Sequence, residues 1–381
     1  MEETMRKRIL FISDYSFNVP GGAQKSMEII MQGLSSEFEF YVIMPGEKYE
    51  YKESYKIIFL EDFDNLLINE NVIKSSKILF DLMKQINIIK PNVIHTHMVS
   101  SMSGVGLLKW LKLLKNIQLI YTERGVPSYY SKINQFVIKY AIQNFSKIIT
   151  TTNINRKKYL EMYSAPKDKV TTIPNTAGPL FDIYDSEKET SIKKAYGYSK
   201  KVVMFNGRYT DDKNWSLAKE IIKYLTSKFD YSFVVVLGSD KSEEDIKKCK
   251  KLIGEIESIV GKRNIISFID LSLLELSDLY YLSDIFILTS NRESFGRTAV
   301  EAMSRKSTVF GTDIDGLAEV INFNDYKYKN LQDFVDKFTK FQEKDIEVEK
   351  ERFYKRYVDN FSGKINIDLH REIYENQIFK K

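Results

Sequence analysis

Twelve short apolar runs, set at regular intervals with helix-like stretches between them, constrain this chain more than any other feature. Seven occupy 8–13, 38–44, 55–60, 92–97, 117–122, 147–152 and 169–174. Five more occupy 201–206, 231–238, 264–269, 284–290 and 307–312. Several have continuous apolar centres, as in "FVVVLG" and "DIFILTS", rather than alternating polar and apolar positions. Strands of that kind are buried on both faces, which happens when a parallel sheet is covered by helices on each side. Two such series predict two doubly wound α/β domains. The first domain is expected over 1–178 and the second over 201–350. Residues 179–200 read as a linker, because the segment around them is polar, with Gly and Pro early. Helices are expected over 351–381.

Composition narrows the function. The chain has 381 residues, 43% hydrophobic and 29% charged, the balance of a globular protein of two or three domains. A single cysteine, Cys249, excludes a disulfide framework and a thiolate metal cluster. No window offers 18 apolar residues for a membrane span. The N-terminal "MEETMRKRILFIS" has too short an apolar run for a secretory signal, so a cytoplasmic protein is expected. The net charge of +5 is unevenly spread: residues 101–180 carry twelve Lys or Arg and three acids. Such a surface suits nucleic acid, an anionic membrane or a polyanionic substrate, or it is merely a set of solvated helix faces. Aromatic residues are interleaved with the lysines in "VPSYYSKINQFVIKY", 126–140.

Three loops at strand ends carry chemistry. After the first run, Gly21 and Gly22 close a loop and Ala23 opens an amphipathic helix, so the backbone can approach an anionic ligand. After the run at 201–206, "FNGRYTDDKN" places Arg208 and Lys213 five residues apart, with Gly207 before them. Two cations there suit a diphosphate, Arg through its fork and Lys as a point charge. After the run at 284–290 comes "NRESFGRTAVEAM", with Glu293 and Glu301 eight apart. Ser294 reads as an N-cap and the helix as starting near Gly296. Glu293 then sits in the loop and Glu301 inside the helix, with free N–H groups between them that can hold a phosphate. Carboxylates are good acceptors for sugar hydroxyls, so the stretch outlines a nucleotide-sugar site. His95 and His97, two apart in one strand, share a face. No third ligand is evident for a metal, and packing or a polar contact is the preferred reading. In "GLLKWLKLLKNI" (106–117) leucines fall on one side and lysines on another, as for a helix packed on a sheet.

Together these stretches resemble glycosyltransferase family four, retaining enzymes with the GT-B fold. The resemblance rests on "PGGAQK", "TTIPN", "GRYTDDK", "ESFGRTAVE", "GTDIDGLAEVI" and "FSGKINIDLHREIY", in order over nearly the whole chain. It implies two Rossmann-like domains facing a cleft, with the C-terminal helices returning to the first. It implies that Arg208, Lys213 and Glu293 carry the chemistry: the cations on the leaving diphosphate, Glu293 on the sugar hydroxyls. Glu301 would take the ribose hydroxyls. Phe295 and Gly296 would offer main-chain N–H groups, with Ser294, Arg297 and Thr298 beside them. Gly21, Gly22 and Gly207 would approach the diphosphate, and Ile269 would lie beside the base. Many members place a histidine in "T-x-H-G" after the fifth strand, where this chain has "YTERGVP" and Arg124. That departure resembles the polyprenyl-linked-oligosaccharide transferases.

Glu123, Arg124 and His97 are therefore assigned to the acceptor side, Glu123 and Arg124 either pairing with each other or contacting acceptor and sugar. The expected reaction transfers a sugar from an NDP-sugar, most simply UDP-linked, to a lipid-linked or polysaccharide acceptor in cell-surface glycan synthesis, with no metal or other cofactor. Peripheral contact with an anionic membrane is expected, and nucleic acid is not. Competing readings are a UDP-sugar epimerase, a glucan synthase, or a non-catalytic subunit that keeps the fold.

Overall fold

The computed structural model describes residues 6–18, 21–46, 55–60, 72–197 and 200–379. Pro20 of the "PGGAQK" loop and residues 198 and 199 of the expected linker lie outside them. The chain divides into two compact units, Met1–Asn175 with Lys364–Lys381, and Thr176–Gly363.

In the first unit the order is β1 (Lys7–Ile12), α1 (Gly22–Leu34), β2 (Phe38–Met44), β3 (Lys56–Phe59), α2 (Val72–Ile89), β4 (Val93–Thr96) and α3 (Val99–Trp110). It continues with β5 (Gln118–Glu123), α4 (Lys132–Ala141), β6 (Lys147–Thr150), α5 (Asn153–Tyr163) and β7 (Val170–Thr172). The second unit holds α6 (Ser186–Tyr196), β8 (Val202–Arg208), α7 (Trp215–Lys228), β9 (Ser232–Gly238), α8 (Glu243–Val260), β10 (Ile265–Ile269) and α9 (Leu273–Leu279). Then follow β11 (Ile285–Leu288), α10 (Arg297–Ser304), β12 (Thr308–Thr312), α11 (Asp315–Ile321), β13 (Lys327–Tyr328), α12 (Leu331–Phe341) and α13 (Ile346–Asn360). The last helix, α14 (Gly363–Phe379), packs in the first unit.

Each unit is built on a parallel sheet, in the order β3-β2-β1-β4-β5-β6-β7 and β10-β9-β8-β11-β12-β13. All twelve apolar runs are strands, as burial on both faces requires. In β1, Leu10 and Ile12 enter one apolar core with Leu82, Met102 and Ile138, while Ile9 and Phe11 enter a second with Met27, Ile30 and Tyr374. Both sheets reverse strand order once, between β1 and β4 and between β8 and β11. In doubly wound sheets, ligands sit at the strand C-termini beside such a reversal.

Two expectations differ from the fold. The stretch 179–200 is part of the second unit rather than a linker. Phe181 is fully buried, and the Arg305 guanidinium holds the carbonyls of Leu180, Phe181 and Ile183. Helix α6 buries none of its side chains, which is why its composition resembles a linker, yet Lys188 pairs with Asp278 at 2.5 Å. Of the closing helices only α14 joins the first unit, since α13 buries Phe353 and Tyr357 in the core of the second. Strand β13 has two residues, too short to leave an apolar signature.

Candidate functional site

The loops leaving β8 and β11 are neighbours because their strands flank the reversal in the second sheet. Hydrogen bonds stitch them together. Asn291 N–H donates to Asp212 O at 2.7 Å, Thr289 Oγ1 to Lys213 O at 2.8 Å, and Asn214 Nδ2 to Asn291 Oδ1 at 3.1 Å. Arg208 is exposed at the end of β8, and its carbonyl accepts from Trp215 Nε1 at 3.0 Å. The stem of Lys213 crosses Gly207 so closely that a Cβ there would lie 3.4 Å from Lys213 Cγ. Lys213 Nζ reaches Glu293 Oε2 at 2.5 Å, with both side chains mostly sheltered from solvent. The other oxygen of Glu293 accepts the Gly296 N–H at 3.1 Å. Lys213, Glu293 and the start of α10 thus form one connected unit.

Helix α10 is capped by Gly296, not by Ser294 as its residue type suggests. Gly296 has φ +91°, and a Cβ there would stand 2.6 Å from Leu317 Cδ1, so no other residue fits the turn without strain. Phe295 points into the core, edge-on to Phe361 at 5.7 Å. Its expected role can involve only its main chain. Five residues past the cap, Glu301 is 5% exposed and accepts from Tyr280 OH at 3.0 Å. The same hydroxyl accepts from Asn206 Nδ2 at 2.8 Å, linking α10 to β8. Burial pushes the Glu301 carboxyl up, against the pull of Arg297 and Tyr280. Ile269 ends β10, half-buried. After it, Asp270 accepts the Ser239 N–H at 2.7 Å and holds the turn.

Tyr280, Asn206, Thr289 and Asn291 had no signal in the sequence. A tyrosine in "SDLYYLSD" looks like a core residue, and only the sheet order brings it to Glu301.

The reversal in the first sheet gathers a second set. Gly21 is the N-cap of α1, which starts at Gly22 rather than Ala23. Among the described residues nothing lies within 4 Å of a Cβ built on Gly22, whereas a Cβ on Gly21 would strike Gln24. Asp14, unread in the sequence, ties β1 to the start of α3 by accepting from Ser101 N at 2.9 Å and Ser100 N at 3.1 Å. His97 is buried beneath Arg124, whose Nη2 and Nε donate to its Nδ1 at 3.0 and 3.2 Å. A guanidinium cannot accept, so Nδ1 is the acceptor and the ring proton sits on Nε2. That Nε2–H is buried and has no hydrogen-bond partner among the described residues. Burial first, then the Arg124 charge, holds His97 well below the usual imidazole range, so it is neutral.

Two acceptor-side expectations need correction. Glu123 does not face outward or pair with Arg124. It is buried, and its carboxylate accepts from Tyr130 OH at 2.6 Å, Gly125 N at 2.8 Å and Tyr121 OH at 3.1 Å. Arg124 turns the other way, to His97 and Asn175. Alternation along the strand puts adjacent residues on opposite faces, which separates the two. His95 shares hydrogen bonds with Tyr374 OH at 2.8 Å and Thr122 Oγ1 at 2.7 Å, a packed polar contact. Among the described residues no group of three His, Cys, Asp or Glu is placed to hold a metal ion.

The sequence pattern of "Glycosyltransferase Family 4" matches residues 20–177, and that of "Glycosyl transferases group 1" matches 187–358. The chain belongs to the family four glycosyltransferases. This glycosyltransferase is 27% identical to a probable sucrose-phosphate synthase of Thermosipho melanesiensis over 237 residues, 59% of the chain and 53% of that protein. The match therefore spans about half of that relative. It is 24% identical to the O-antigen biosynthesis glycosyltransferase WbnH of Escherichia coli over 321 residues, 82% of the chain and 84% of the relative. Its fold is that of Anabaena HepE, solved in complex with UDP and glucose. The TM-score is 0.75 at 14% identity, covering 97% of this chain and all of that one. Both units thus share the GT-B architecture.

Proposed function

We propose that this glycosyltransferase moves a sugar from a UDP-sugar to a hydroxyl of a lipid-linked or polysaccharide acceptor, with the anomeric configuration retained. The observation that carries the reading is the connected unit of Lys213, Glu293 and Gly296 at the reversal of the second sheet, with Glu301 five residues into the helix side. A cation, a hydroxyl acceptor and a helix start meet there in the order that a diphosphate and its sugar require. The complex of HepE with UDP and glucose and the name of WbnH support the donor and the acceptor class.

In this reading Arg208 and Lys213 neutralise the departing diphosphate, doing the work a metal does elsewhere. Glu293 orients the donor sugar through its hydroxyls, and Glu301 accepts from the ribose. The anomeric C–O bond to phosphate breaks as the acceptor oxygen bonds the same carbon from the same face. The acceptor's proton passes to the departing phosphate oxygen, and UDP leaves.

Release of UDP from a panel of UDP-sugars, with and without extracted lipid-linked glycans, tests the reaction. Mass analysis of the glycan product shows the transferred residue. Calorimetry with free UDP tests the roles: Glu301→Ala weakens binding, and Glu293→Ala leaves it nearly intact while lowering turnover. If the protein neither binds UDP nor releases nucleotide from any donor, the proposal fails. The similarity to a sucrose-phosphate synthase favours one other acceptor, a small phosphosugar, and its consumption in the same assay would replace the lipid-linked one.

A further inference from the structure

Helices α3 and α4 touch where Gly106 meets Ala141, a Cβ on Gly106 lying 3.2 Å from the Ala141 Cβ. Around that junction the apolar side chains face outward. Trp110 is 68% exposed, Ile133 76%, Phe136 63% and Tyr140 59%. Trp110 is one turn from Gly106 and so lies on the same flank of α3. Ile133, Phe136 and Tyr140 share one face of α4, the last two rings 4.5 Å apart. Leu111 and Leu113, in the turn after α3, are also exposed.

The expected helix over 106–117 in fact stops at Trp110. Lys109 is half-buried, and its ammonium donates to Leu114 O at 2.9 Å and Ile117 O at 2.8 Å. That bond folds the turn back and leaves Leu111 and Leu113 at its tip. Lys112, Lys115, Lys132 and Lys139 are exposed around the apolar residues, and none forms an ion pair among the described residues. From residue 82 to residue 160 the sole acid is Glu123, and it is buried. The face is therefore apolar at its centre, basic at its rim and without acidic side chains from this stretch.

We propose that this α3–α4 face docks on the surface of an anionic phospholipid bilayer, with Trp110, Leu111, Leu113, Ile133 and Phe136 entering the headgroup region and the four lysines on the phosphates. A protein partner of ordinary composition would meet the apolar residues but would leave four unopposed lysines at the rim. A bilayer with anionic headgroups answers both parts at once. Each lysine near such a surface raises partitioning roughly fivefold, and the apolar side chains add a component that salt does not screen. The face is distinct from the residues assigned to the donor, so the proposal stands or falls separately from the reaction.

The chain has two tryptophans, Trp110 and the buried Trp215. Titration with vesicles of phosphatidylcholine and phosphatidylglycerol should shift the emission of the wild type to the blue. Trp110→Phe should lose the shift while still sedimenting with the vesicles. Phe136→Ser/Ile133→Ser should bind at least tenfold more weakly. Replacing Lys112, Lys115, Lys132 and Lys139 with Glu should abolish binding, with UDP binding retained in every variant. Three results overturn the proposal: no binding to anionic vesicles, binding fully reversed by salt without a tryptophan shift, or self-association through this face in place of vesicle binding.

Discussion

At the residue scale, the roles proposed for the candidate site rest on a few positions. Arg208→Ala and Lys213→Ala should each lower kcat on the order of 10²-fold, more than they weaken UDP binding, because charge grows on the leaving group in the transition state. Steady-state kinetics beside calorimetry separates the two effects, and near-normal turnover in both variants removes the assignment. Gly296→Ala meets both a φ of +91° and a Cβ 2.6 Å from Leu317. It should cost about 2 kcal/mol and lower Tm by several degrees in thermal unfolding. The positions on which these predictions rest were legible in the sequence because glycine, paired cations and spaced carboxylates stand at strand ends. Their partners were not. Tyr280 on Glu301 and Asn291 on Asp212 are joined by sheet order, which no local pattern encodes. Glu123 was misread for a related reason: a carboxylate beside an arginine looks like a pair until strand alternation sends the two apart.

At the element scale, α14 is a structural member of the first sheet's cover. Asn366 Nδ2 donates to Pro174 O at 2.6 Å, Arg371 pairs with Glu37 at 2.8 Å, and Ile367 lies over Gly33 of α1. Tyr374 is buried among Phe38 and Phe40 and places its hydroxyl on His95. Tyr374→Phe keeps the ring packing but strands a buried imidazole nitrogen, so it should cost about 1–3 kcal/mol. Chemical denaturation should show a lowered midpoint, and an unchanged midpoint would mean that water replaces the hydroxyl. Helix position was readable from the sequence, but helix allegiance was not. The polar faces of α6 and α13 resemble a linker and a returning helix because each anchors through few residues.

At the scale of the whole molecule, acid should unfold the protein through its histidines. His370 is held to about 4 by burial, and His95 and His97 are also held well below 6.5. Below pH 6.5 the unfolded chain takes up protons that the folded chain refuses, so stability falls as pH drops toward 4. His370 alone accounts for a loss of about 3 kcal/mol across that window. Glu123 and Glu301, raised by burial, act in the opposite sense and favour the fold as pH falls. Tm measured from pH 7 to 4 should decline, and His370→Asn should flatten the slope. An equal slope in that variant removes His370 from the account. The architecture itself was legible because continuous apolar runs specify parallel strands, whereas strand order within each sheet was carried by no single run.

The division of the chain has a consequence for its synthesis. The second unit is inserted into the sequence of the first, between Asn175 and Lys364. A nascent chain leaving the ribosome therefore presents β1–β7 with one face of their sheet lacking its last helix. The whole of the second unit must emerge before α14 does. During that interval Ile373 and Tyr374 are not yet made, and the apolar groove they fill stands open. The inserted unit, contiguous in sequence, can close first. This order leaves the cover of the first sheet to be completed by α14, after the second unit has been synthesised.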